Sequence, residues 1–62
     1  MIFIARLPEQ TIESACGRRG ITILKMEVQP DSAIAVECPE ADRAKVRDWF
    51  ANDDSILWFS SI

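Results

Sequence analysis

Apolar residues fall in six clusters along the chain, and their spacing predicts a strand or a helix for each. Residues 2–7 (IFIARL) are a β-branched and aromatic run that reads as a strand. Pro8 then opens a helix, at a position where its missing N–H costs nothing. Ile12, Ala15 and Cys16 recur at i, i+3 and i+4 on one face of that helix, while Glu9, Gln10 and Glu13 face away. Its early acids and its terminal Arg18 and Arg19 complement the macrodipole, and Gly17 and Gly20 mark the stop.

Residues 21–28 (ITILKMEV) read as a second strand and residues 33–38 (AIAVEC) as a third. Gln29-Pro30-Asp31-Ser32 forms the tight turn between them, with proline presetting φ and aspartate following it. Pro39 opens a second helix, whose buried stripe is Val46, Trp49 and Phe50. Residues 52–54 end it, and residues 55–62 (SILWFSSI) close the chain as a fourth strand. The order strand–helix–strand–strand–helix–strand, joined by right-handed crossovers, predicts an α+β fold. Its form is a small ferredoxin-like βαββαβ two-layer sandwich, with an antiparallel sheet ordered 4-1-3-2 and both helices on one face. Residues 1–62 then make one such domain.

A sheet covered on one face should alternate apolar and polar residues, and this one alternates poorly. Ile2 and Ile4 oppose Phe3, Ala5 and Leu7; Ile56, Trp58 and Ile62 oppose Leu57 and Phe59. In the second strand Ile21 and Ile23 oppose Thr22, Leu24, Met26 and Val28, and only the third alternates, with Ile34, Val36 and Cys38 against Ala33, Ala35 and Glu37. Two short helices cover one face, so a further partner is expected on the other. The last strand lies at an edge, and after Asp54 it carries no charge, proline or bulge to block strand addition. Ile2, Ile4, Ile56, Leu57, Trp58 and Ile62 are therefore the candidate partner-binding residues. Trp58 stands out as a residue type enriched in binding hot spots.

Composition sharpens that expectation. A chain of 62 residues with 48% hydrophobic residues intends a core, but chains this short usually need a staple. Two cysteines allow one bridge, and residues 1–7 do not read as a secretion signal, so Cys16 and Cys38 are expected as reduced, buried thiols in a cytoplasmic setting. Without histidine they cannot complete a zinc shell, and no cofactor is expected. Self-association, as a homodimer, or capture of a protein partner remains.

Charge and chemistry narrow the function classes. The net charge is −3, with six acids against three bases in residues 32–62, which disfavours nucleic acid. No stretch approaches the roughly 20 apolar residues of a membrane span. With no His and no Tyr, the usual proton shuttles near neutral pH are absent, and a non-enzyme is expected. Cys16 falls near a helix C-terminus, the wrong end to activate a thiolate. The leading expectation is a small protein-binding module: a regulator, inhibitor or accessory subunit, of the size of phage-encoded inhibitors. A second reading is a small-molecule or nucleotide sensor with Arg18, Arg19 and Lys25 as anion anchors in an inter-subunit pocket. RNA binding by the open sheet face is a third, weakened by Phe3 being the one aromatic on the predicted central strands.

Overall fold

The computed structural model describes residues 1–54 and 56–59. Its elements run β1 (Ile2–Ala5), α1 (Glu9–Arg19), β2 (Lys25–Val28), β3 (Ile34–Glu37), a 3₁₀ turn (Glu40–Asp42), α2 (Arg43–Asn52) and β4 (Ile56–Phe59). The sheet is four-stranded in the order β2-β3-β1-β4, with every neighbouring pair antiparallel. This is the expected two-layer α+β sandwich of ferredoxin-like topology.

The strands are shorter than the apolar runs that encode them, and for the second strand the cause is that other partners take the backbone donors before it. Gly20 ends α1 in the left-handed conformation (φ 71°), and the Ile21 N–H reaches back to the Cys16 carbonyl at 2.9 Å. The Thr22 N–H goes to the Asp42 carboxylate at 2.9 Å. Ile21 and Thr22 therefore leave the predicted second strand, which begins at Lys25. Helix α1 starts at Glu9 with Pro8 as its N-cap, and Gly17 lies inside it. Pro39 precedes a 3₁₀ turn, so α2 begins only at Arg43.

Between β2 and β3 the predicted turn forms: the Ser32 N–H donates to the Gln29 carbonyl at 3.0 Å, and the Gln29 N–H to the Ala33 carbonyl at 2.7 Å. Asp31 adds a side-chain acceptor for the Ala33 N–H at 3.1 Å. Ser32 closes the loop at φ 74°, a conformation that costs a side-chain-bearing residue about 1 kcal/mol or more.

The core lies between the sheet and the helices. Phe3 and Ala5 of β1, Ile34 and Val36 of β3 and Ile56 of β4 meet Ile12, Ala15 and Cys16 of α1 and Val46 and Trp49 of α2. Phe3 and Trp49 meet edge to face, with ring centroids 5.7 Å apart. Trp49 fills the space above Phe3, so Phe50, about 100° further round the helix, is turned largely outward at 42% exposure instead of joining the stripe. Met1 prolongs the β1–β3 ladder: its nitrogen donates to the Cys38 carbonyl at 2.8 Å, and the Cys38 N–H donates back to the Met1 carbonyl at 2.9 Å.

Cys16 and Cys38 are free and buried, as the sequence led us to expect. Burial, with a smaller contribution from neighbouring Cys38, pushes the Cys16 thiol up to about 11, and burial raises Cys38 as well. A thiol held protonated by the fold stabilises it fully below its ordinary value near 9, and that contribution is lost as pH climbs toward 11. We expect urea midpoints to fall across this alkaline window in the wild type and to fall less in Cys16→Ala. At neutral pH, Ser32→Gly should raise stability by about 0.5 kcal/mol by relieving the left-handed strain, read as a higher urea midpoint at unchanged m.

Candidate functional site

The sheet face away from the helices is divided by strand. Cross-strand pairing sets Lys25 of β2 opposite Glu37 of β3, and Glu27 opposite Ala35, so the β2–β3 half carries alternating charge. The β1 half is apolar: Ile2 is 43% exposed and Ile4 half-buried, and Ile4 pairs with Trp58 of β4 in the ladder. This half of the face has the composition of an interface centre, with charges on one flank.

At the β4 edge the structure corrects two expectations. Ile56 is buried at 3% and belongs to the core, because it pairs with Ala5 on the helix-facing side of β1. The edge also carries a bulge: β4 steps from Ile56 to Trp58 while β1 steps from Ala5 to Ile4, leaving Leu57 as the extra residue, 44% exposed. A bulge bends and twists an edge, so β4 has one of the guards its sequence lacks. Ile62 lies outside the described residues.

The three proposed anion anchors are not brought together. Lys25 lies on β2, in the ladder opposite Glu37. Arg18 points onto the outer surface of α1, beside Gln10, Thr11 and Ser14. Arg19 turns the other way: its guanidinium stacks on the Trp49 ring at 4.4 Å from the centroid, and its Nη1 donates to the Ala15 carbonyl at 3.2 Å. Sequence reasoning treated the two arginines as a pair, but consecutive residues on a helix diverge by about 100°.

Arg19 instead joins a second cluster that the sequence reading missed. Lys45, Asp48, Trp49 and Asn52 of α2, with Arg19, line an open cleft of about 300 Å³ between the two helices. The Lys45 Nζ donates to the Gly20 carbonyl at 3.0 Å and lies 3.5 Å from the Asp42 carboxylate. Asp42, only 7% exposed, thus ties both the loop after α1 and Lys45 to the start of α2. The Trp49 Nε1 donates to Asp53 at 3.0 Å, completing the anchorage of the indole. The signal in the sequence was the spacing of residues 45, 48, 49 and 52 at i, i+3, i+4 and i+7, which sets them on one face.

No family model, no curated protein and no solved structure matches this chain significantly. Among the described residues no helix is long and apolar enough to cross a membrane.

Arg19 roofs Trp49, and its removal should wet the indole. We expect Arg19→Ala to cost about 1 kcal/mol of stability, with a red-shifted tryptophan emission, while Arg18→Ala stays within roughly 0.5 kcal/mol of the wild type.

Proposed function

We propose that this chain is a non-enzymatic protein-binding module that uses the helix-free face of its sheet and the β4 edge, with a second copy of itself as the first partner. The observation that carries the reading is exposed apolar surface: Ile2 at 43% exposure on the apolar half of that face, and Leu57 at 44% on the adjoining β4 edge. Exposed apolar surface rimmed by charge on one side, here Lys25, Glu27 and Glu37, is the usual anatomy of a contact patch.

Edge chemistry favours a copy of the same chain. The sheet has two edges, and β2 guards its own with alternating Lys25 and Glu27. Strand β4 (ILWF) has no charge. A β4 edge therefore finds its chemical match in another β4, and such pairing is isologous and closes at two subunits, whereas β4 on β2 would be head-to-tail and open-ended. The bulge at Leu57 moves pairing to the residues beyond it and gives the face contact more of the work. A small chain whose core alone supports modest stability gains from such burial. The absence of His and Tyr supports a binding role over a catalytic one. Within one chain Arg18, Arg19 and Lys25 diverge, so a sensor anchored by them would have to gather them from two subunits.

Sedimentation velocity over a concentration series tests the reading. The wild type should show a concentration-dependent dimer, and Leu57→Lys and Ile2→Lys, both at exposed positions, should each weaken it by about 30-fold or more without lowering the urea midpoint of the monomer. A wild type that stays monomeric throughout, indifferent to both substitutions, overturns self-association.

A further inference from the structure

The cleft between α1 and α2 lies on the opposite layer from that face, and its charges are unusually disposed. Arg19 and Lys45 bring two positive groups to its walls and Asp48 one negative. They are not paired with each other. Among the described residues Lys45 pairs with Asp42, and neither Arg19 nor Asp48 has an oppositely charged side chain within ion-pair distance.

Nor are these groups exhausted by their internal contacts. Stacking on Trp49 fixes the plane of the Arg19 guanidinium, and its bond to the Ala15 carbonyl uses one of several N–H donors. Asn52 spends its Nδ2 on the Asp48 backbone carbonyl at 2.7 Å, and its side-chain oxygen still offers an acceptor.

We infer that this cleft receives a small zwitterion, an amino-acid-sized molecule with one carboxylate and one ammonium group. The carboxylate is taken by Arg19, held flat for a two-pronged contact, with the Lys45 charge alongside. The ammonium is taken by Asp48 and the Asn52 amide oxygen. A simple anion fits worse, because it meets Asp48 and the carbonyl-rich C-terminus of α1. A simple cation meets Arg19 and Lys45. A volume of about 300 Å³ stands at the small end of ligand pockets, suited to one amino acid rather than a nucleotide. The charged groups are partly hydrated, which sets binding in the millimolar range.

The test is an NMR titration of isotope-labelled protein with L-leucine, whose side chain adds no charge, and separately with acetate and methylammonium. The Trp49 indole N–H, bonded to Asp53, and the backbone amides of Arg19 and Asp48 are the reporters. Saturable shifts are expected with leucine, and binding about tenfold weaker or worse with either half-ligand. Asp48→Asn, at an exposed position, should weaken leucine about tenfold and leave acetate binding undiminished. Arg19→Lys, which keeps the charge but not the fork, should weaken leucine and acetate alike. An absence of saturable leucine shifts, acetate binding as tightly as leucine, or an Asp48→Asn variant that binds leucine like the wild type overturns the assignment. None of these readouts depends on oligomeric state, so the cleft and the sheet face stand or fall separately.

Discussion

Trp49 is the contact on which the two layers depend. Its ring meets Phe3 of β1 edge to face, carries the Arg19 guanidinium from the end of α1 over the indole, and is tethered through its indole N–H to Asp53. One side chain thus fixes the distance between sheet and helices, the seating of α1 beside α2, and the exit of the chain toward β4. Large aromatic burial matters more in a small chain, where few residues share the work of excluding water. The same ring lines the interhelical cleft, so a buried core anchor and the candidate ligand site are one piece of structure.

A second tie runs through Asp42. A carboxylate at 7% exposure needs its lone pairs met, and the Thr22 N–H and the Lys45 ammonium meet them. This joins a loop, a 3₁₀ turn and a helix at one point. It also explains why β2 is short: the donor that would have extended the ladder is already committed to Asp42. Lys45 continues the tie to the Gly20 carbonyl, closing the end of α1 with a charge from the other helix.

How much of this was legible in the sequence differs by kind of signal. Periodicity and turn residues carried the element order and the sheet order, because the 2–7 run, the Ile12–Ala15–Cys16 spacing and the Gln29–Ser32 turn are local signals. The two opposing sets of β1 were readable for the same reason, and the structure turns Phe3 and Ala5 inward. Boundaries were not, since apolar residues 21–24 look like strand until a carboxylate distant in sequence claims a backbone donor. The burial of Ile56 and the bulge at Leu57 were hidden likewise, for both follow from the register against β1. Of the candidate contacts whose side chains the structure describes, Ile2 and Leu57 are the exposed ones, and the arginine pair separated because neighbouring helical positions look in different directions. The cleft escaped because Trp49 reads as core and Arg19 as a helix end, and nothing local in the sequence joins them to Lys45, Asp48 and Asn52.

The placement of β1 has a kinetic consequence. It is the first strand in the chain and sits inside the sheet, pairing with β3 through Phe3 and Val36 and with β4 through Ile4 and Trp58. Neither neighbour is near it in sequence, so no local hairpin can hold it while the rest assembles; among the described strands β2–β3 is the local hairpin. Closing those long loops costs entropy before any contact repays it, so this chain should fold more slowly than a helical bundle of its size. Until β3 and β4 are both in place, Ile2, Phe3 and Ile4 lack a strand on at least one flank, and the chain is at its most aggregation-prone then.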